Sequence, residues 1–563
     1  MELSRRHLIG FGAAAAGLAW TRPRPAWAAD FQEGGPKLGP VVERVRAFAE
    51  ADLSSKGLPG MQIALVGPGG AAATIAVGFA DLDGRVPATP DQLFQIGSIT
   101  KSLTVMALFV LAERGRLDLE ARLQDLLPEV PLPPEPITIK QLIEHSSGLP
   151  NGVGETIFPD VPGGRFWTGF PPGSRYSYCN TGYNLLGHVI ARVSRMPFDS
   201  ALRTLVLQPL GMISAKPVIR MADRAAYASG HVRLREDIPW LPGASLTEAQ
   251  WMDITGAAGS VGATAADMAR YLRFIVHVGQ GKGAPLFSDA MAQRYRTATI
   301  NTVTAGDRYG HGLVHRLIDG QPVLRHTGGM IGFSSAFNAD PPAGVGAYAS
   351  VNVGGAGGYR PNELVNYAIS LLRAAGAGRA LPEIRTPAPE PLIPETIASQ
   401  AAGRWISADG GEFSIANRSG VLFVTSGGVE RPLIASGNAL VTDHPALSPF
   451  ALARYEGAAP MLRLGDRLFG RDRAPAPPPT SPRLAALAGS YFAPQAWSPY
   501  VRTYAVGDQL FIGANLLREA PDGSWRFADP ALAPERTWFE DFVDGRPQTL
   551  NASGVQFTRQ LVS

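Results

Sequence analysis

At 563 residues the chain is too long for one ordinary domain, and its 45% hydrophobic content is ample for a large core. Its 64 glycines and 48 prolines argue against a helical bundle and for a loop-rich α/β or β-rich protein. Charge nearly balances, with 51 Lys and Arg against 48 Asp and Glu, so neither nucleic acid nor an anionic membrane surface is expected as a partner. Cys179 is the single cysteine, which excludes an intrachain disulfide and a cysteine metal cluster.

The N-terminus reads as a targeting segment. Ser4-Arg5-Arg6-His7-Leu8-Ile9 resembles a twin-arginine export signal, a short Ala/Gly-rich apolar run follows, and Ala26-Trp27-Ala28 supplies an A-x-A cleavage site. Residues 1–28 are therefore expected to be a signal peptide and the mature protein to be periplasmic or secreted. Removing them takes Arg5, Arg6, Arg22, Arg24 and Glu2 and leaves 47 basic and 47 acidic residues. No later run is apolar and long enough to predict a membrane span.

Beyond the signal, 41–51 has a helical apolar pattern, and 61–66 and 73–77 read as strands joined by a Gly-rich turn. Ser98 and Lys101 follow in an S-x-x-K spacing. An Ala/Leu/Val-rich run over 103–113 predicts a buried helix there, so residues three apart share a face and the hydroxyl and amine can meet. A nucleophile at a helix start also sits near free backbone N–H donors. Alone, the spacing equally describes an N-capping serine beside a solvated lysine. A short helix over 139–144 runs into His145-Ser-Ser-Gly-Leu-Pro150, where His145 is expected to hold the loop. Residues 151–172 lack periodicity, and a long loop of this kind often forms a substrate wall. Tyr178 and Asn180 lie two apart and are expected to point the same way from an extended segment, with Cys179 packed inward and a helix over 184–195.

Thr264 and Asp267 form a capping signal for the next helix, and His277, His311 and His315 show no metal-ligand pattern. Hairpins are predicted around Asp319-Gly320 and around Pro341-Pro-Ala-Gly344, then a helix over 362–374. Strands at both ends with helices between them predict an antiparallel sheet with helices packed on it, an α+β fold. Pro-rich linkers at 381–394 and 474–482 set off two segments, 395–473 and 483–563. Each is long enough for about eight short strands, which suggests two small antiparallel β-barrels. The two echo each other, Ala401-Ala-Gly-Arg-Trp405 against Leu487-Ala-Gly-Ser-Tyr491, and neither holds a second catalytic cluster.

Ser98/Lys101, Tyr178/Asn180 and His326-Thr327-Gly328 form an ordered set of three motifs. On these the region 41–373 resembles the serine β-lactamase and penicillin-binding superfamily, in particular its class C-like branch of D,D-peptidases, D-aminopeptidases and carboxylesterases. The resemblance extends to Phe94-Gln-Ile-Gly-Ser98, the His145–Pro150 loop, Leu210-Gly-Met212 and Gly310-His-Gly-Leu313, and the paired barrels resemble the layout of D-aminopeptidases.

It implies a serine hydrolase domain over 29–380. Ser98 would be the nucleophile, Lys101 and Tyr178 the proton-transfer groups, and the N–H groups of Ser98 and Gly329 the oxyanion hole. Either a neutral Lys101 or a Tyr178 phenolate satisfies the proton transfer. Asn180 would orient Lys101 and the substrate amide. His326 stands where β-lactamases commonly carry a carboxylate-binding Lys, and a His is a weaker, pH-dependent cation.

The expected substrate is a small amide or short peptide, possibly of D-amino acids. A small ester or lactam is the alternative, as is a cell-wall peptide-binding protein without turnover. No cofactor or metal is expected, nothing in the sequence fixes the oligomeric state, and the barrels are expected to shape the site rather than perform chemistry.

Overall fold

The computed structural model describes residues 38–152, 158–234, 243–354, 359–387 and, with short interruptions, 393–561. The export signal expected over 1–28 lies outside these residues.

The first domain is framed by a nine-stranded antiparallel sheet. Strands β1 (Gly60–Val66), β2 (Ala72–Asp81) and β3 (Val86–Pro87) come from its beginning. Strands β4 (Ile300–Asn301), β5 (Arg308–Gly310), β6 (Leu313–Ile318), β7 (Gln321–Met330), β8 (Phe333–Asp340) and β9 (Val345–Val351) come from its end. The order across the sheet is β3-β2-β1-β9-β8-β7-β6-β5-β4, so the two ends of the domain meet where β1 pairs with β9, Ile63 opposite Ala349.

Five long helices pack around the sheet: α1 (Gly39–Lys56), α2 (Thr100–Glu113), α3 (Asn180–Ser194), α4 (Ala265–Gly279) and α5 (Asn362–Gly376). β1 is buried along its whole length. Its Met61, Ile63 and Leu65 pack with α1 and α5, while Ala64 and Val66 belong to the larger cluster built around α2. Cover on both faces is why this strand is continuously apolar instead of alternating.

α2 is buried all round, every residue from Thr100 to Leu111, and packs against α3. A helix in that position has no wet face, so Lys101, on its first turn, enters the core with it. α4 begins with the expected capping box, in which Thr264 and Asp267 each accept from the other's backbone N–H.

Two closed eight-stranded antiparallel barrels follow. Gly403–Ser407 pairs with both Glu412–Arg418 and Arg467–Arg471, and Gly489–Phe492 pairs with both Tyr500–Val506 and Val555–Arg559, which closes each ring.

The echo between the segments has a geometric counterpart. Each barrel's first strand follows a short helix, Glu395–Ala401 or Pro482–Leu487. Trp405 Nε1 donates to the Ala401 carbonyl at 2.8 Å, and the Tyr491 hydroxyl donates to the Leu487 carbonyl at 3.2 Å. The last strand then lays an arginine on that ring, Arg471 at 5.1 Å from Trp405 and Arg559 at 5.0 Å from Tyr491. Tyr455 and Leu468 of the first barrel pack on Val506 and Phe511 of the second. Among the described residues no helix is long and apolar enough to cross a membrane.

Candidate active site

Ser98 lies in a single 3-10 turn, Gly97–Ile99, that leads straight into α2. In 3-10 geometry residues i and i+3 eclipse, which stacks Ser98 over Lys101. Lys101 Nζ stands 3.1 Å from Ser98 Oγ. The turn fits only because two glycines let backbones touch. Gly97 has φ 55°, and a Cβ on it would lie 2.7 Å from Gly329 N. A Cβ on Gly328 would lie 2.0 Å from the Ile96 carbonyl oxygen. Strand β7 therefore runs flush against the Ser98 turn and brings Gly328 and Gly329 beside the serine.

The Tyr178 hydroxyl donates to Ser98 Oγ at 2.7 Å. Asn180 Oδ1 lies 2.6 Å from Lys101 Nζ. The two side chains converge as expected, but by a different route. Asn180 is the first residue of α3, which starts four residues earlier than the apolar pattern indicates, and Cys179 is its N-cap. The Cys179 sulfur accepts from Gly182 N at 3.2 Å and donates to the Pro150 carbonyl at 3.3 Å. Thiols cap poorly, so the sequence carries no ordinary start signal here. Burial pushes this thiol up to about 12, which leaves it unreactive.

Lys101 has a third partner, the Ala258 carbonyl at 2.8 Å. Its position is fixed by Asn184 Oδ1, which accepts from Ala258 N at 3.1 Å, and by Thr104, which donates to the Ala257 carbonyl at 2.8 Å. Burial holds the Lys101 amine well below the usual lysine range, and burial raises the Tyr178 phenol. Both shifts favour the uncharged forms, an amine and a phenol. A neutral amine has two N–H bonds and one lone pair. Two of its three neighbours, Asn180 Oδ1 and the Ala258 carbonyl, can only accept. The lone pair is left facing the Ser98 hydroxyl.

His145 adopts φ 59° and its Nδ1 accepts from Cys179 N at 3.0 Å, which ties the loop to the start of α3. Its ring lies among those of Tyr176, Tyr178, Tyr183 and Tyr309. His326 is buried, with Nδ1 2.6 Å from the Thr327 carbonyl and Nε2 3.3 Å from the Tyr309 hydroxyl. Burial pushes His326 down to about 3, so its ring is neutral. Arg360 supplies a cation beside Gly329. Its Nη1 donates to Ser334 Oγ at 2.8 Å, and its Nη2 lies over Gly329, 2.5 Å from where a Cβ would stand. Thr327 and Gly329 share the half-buried face of β7 beneath it.

Sequence reasoning missed Arg360, Tyr309 and the Ala258 carbonyl. Tyr309 adjoins the Gly310-His-Gly-Leu313 stretch and could have been weighed with it. A backbone carbonyl leaves no signal in residue identity. Among the described residues no group of His, Cys, Asp and Glu is arranged to hold a metal ion.

The profile of the Beta-lactamase family matches residues 43–370. The chain belongs to that family, one of serine hydrolases. Penicillin-binding protein 4 of Amycolatopsis lactamdurans is 29% identical over 329 residues, covering 54% of this chain and 83% of that protein. Protein flp of Staphylococcus aureus is 29% identical over 190 residues, covering 30% of this chain and 37% of that protein. The octameric penicillin-binding protein homologue from Pyrococcus abyssi aligns with a TM-score of 0.56 at 22% identity, covering 76% of this chain and 99% of the other. D-amino acid amidase from Ochrobactrum anthropi aligns at 0.50 and 23% identity, covering 60% of this chain and all of the other. The structural likenesses extend the shared fold to this member of the Beta-lactamase family.

Proposed function

We propose that the protein is an exported serine hydrolase that forms a Ser98 acyl-enzyme with small amide or short-peptide substrates built from D-amino acids. The observation that carries the hydrolase reading is the convergence of Lys101 Nζ and Tyr178 Oη on one serine oxygen, at 3.1 and 2.7 Å. Ser98 Oγ attacks the scissile carbonyl carbon while its proton passes to the lone pair of Lys101. The oxyanion develops between the N–H groups of Ser98 and Gly329. Tyr178 gives its hydroxyl proton to the leaving nitrogen and regains one from the Lys101 ammonium, so the acyl-enzyme is left with both groups neutral. Water then repeats the sequence in reverse and frees Ser98.

The proton inventory makes a pH prediction. A base must be unprotonated, so acylation should climb about tenfold per pH unit on the acid side and level off once Lys101 has lost its proton. Tyr178 is raised, so it adds no fall in the mildly alkaline range, and His326 at about 3 adds no step near neutrality. Rates of fluorophosphonate labelling against pH check this. A profile that begins to rise only in the alkaline range would make a Tyr178 phenolate the base instead.

The substrate class rests on family membership, on the compared D-amino acid amidase and on the Arg360 cation beside Gly329. The test is a panel of D- and L-aminoacyl amides, D-residue peptides with free carboxylates, short acyl esters and a chromogenic cephalosporin. D-Peptides are expected to lead, and Arg360→Ala should raise KM about tenfold for the carboxylate-bearing ones while leaving neutral amides nearly unchanged. Faster turnover of esters or lactams would replace the peptide reading, and acylation without release would make the protein a peptide-binding one.

A further inference from the structure

The second barrel is fastened to the loop that borders the site. Trp167 Nε1 donates to the Pro534 carbonyl at 2.6 Å, its ring meets Trp538 at 5.4 Å, and the Arg536 guanidinium lies 4.9 Å from it. Asn551 Nδ2 donates to the Asp160 carbonyl at 2.9 Å. Two glycines on the catalytic side accept this contact at backbone distance. A Cβ on Gly169 would lie 2.5 Å from Pro534 Cα, and one on Gly152 would lie 2.9 Å from Ser553 Cβ and 3.2 Å from Glu535 Oε2.

Within this contact Glu535 points back toward the chemistry. Its Oε1 accepts from Asn151 N at 2.7 Å. Asn151 Oδ1 in turn accepts from Asn180 N at 2.7 Å, at the first N–H of α3. Asn180 Oδ1 meets Lys101 Nζ, which meets Ser98 Oγ.

We propose that Glu535, supplied by the second barrel, is a positioning residue for the Ser98–Lys101 pair, acting through Asn151 on Asn180. The inference rests on the acyl-enzyme reading of Ser98. Asn151 is exposed on a loop, and its side chain can hold the start of α3 only while its own backbone is held. Glu535 does that from outside the domain, as an acceptor 2.7 Å from Asn151 N. Released, Asn180 loses its fixed place, and Lys101 loses the acceptor that turns its lone pair toward the serine. The barrel thus completes the site across 384 residues of sequence rather than only standing at its entrance.

The experiment measures fluorophosphonate acylation rate constants and melting temperatures for the full chain carrying Glu535→Ala, Glu535→Gln, Asn151→Ala, the Glu535→Ala/Asn151→Ala pair and Trp538→Ala. Glu535→Ala and Asn151→Ala should each slow acylation about tenfold, and the pair no further, because both cut one path. Glu535→Gln keeps an acceptor for Asn151 N and should recover most of the rate. Trp538→Ala loosens the dock without touching the path and should stay within about threefold of the wild type.

Losses that add in the pair, or a Trp538→Ala defect as large as that of Glu535→Ala, would overturn the proposal in favour of simple undocking. If the wild type is not labelled, the Ser98 reading itself has failed. The crystal structure of Glu535→Ala then decides the positioning role, and an Asn180 unmoved against Lys101 would end it. If Glu535→Ala does not fold, the crystal structure of Asn151→Ala serves instead, and an Asn180 unmoved against Lys101 would again end the proposal.

Discussion

Ser98→Ala is expected to lose fluorophosphonate labelling entirely and to lower turnover of any substrate by about four orders of magnitude or more. The reason is chemical rather than structural. Ser98 Oγ is the atom on which Lys101 and Tyr178 converge, and the neighbouring Cys179 is a buried thiol pushed up to about 12 and engaged in capping α3. The fold should barely notice the change. Ser98 is half-buried, and without it Lys101 keeps two partners, Asn180 Oδ1 and the Ala258 carbonyl. The melting temperature should stay within about 2 °C of the wild type, since the substitution opens no apolar cavity. Intact-mass spectrometry after probe treatment reads the labelling, and a peptide map locates it. Labelling that persists in Ser98→Ala, or maps to another residue in the wild type, would remove Ser98 from the mechanism.

How much of this site the sequence revealed depended on distance along the chain. Ser98 and Lys101 are three residues apart, and any helical turn brings them together, so their pairing was legible. Tyr178 and Asn180 were legible as a pair that faces one way, yet the expected extended segment is a helix start. The signal failed because a cysteine, not Ser, Thr, Asp or Asn, does the capping. His326 was legible as the residue standing in the lysine position. Its neutrality was not, because burial in the folded chain sets it. Ala258, 157 residues from Lys101, and Glu535, 384 residues from Asn151, were out of reach. No local pattern encodes which loops meet across a domain boundary. The barrels show the same division. Short strands and turns predicted their class, while closure of each ring depends on pairing between a first and a last strand, which strand propensity does not specify.

Lys101→Ala and Tyr178→Phe should each lower kcat by about three orders of magnitude, and the double variant should lose little more than the worse single one. Two independent catalysts would instead multiply their losses. The geometry argues for one unit. Both groups touch the same oxygen, and Lys101 Nζ lies 4.8 Å from the centre of the Tyr178 ring. In the proposed sequence the proton that Lys101 takes from Ser98 is the one that restores Tyr178 after the leaving group has gone. Remove the lysine, and the tyrosine has no proton supply and the serine no base. Remove the tyrosine, and the lysine ammonium has no route to the leaving nitrogen.

A leaving group that needs no proton separates the two roles. With a p-nitrophenyl ester, Tyr178→Phe should recover much of its acylation rate, because a nitrophenolate departs unaided, whereas Lys101→Ala should remain as slow as before. Burst kinetics with amide and ester substrates, measured on variants shown by near-UV circular dichroism to be folded, provide the numbers. Equal recovery of both variants on the ester would mean that Lys101 acts on departure rather than on attack. Additive losses on the amide would mean that Tyr178 works apart from it, as an electrostatic donor to the oxyanion side.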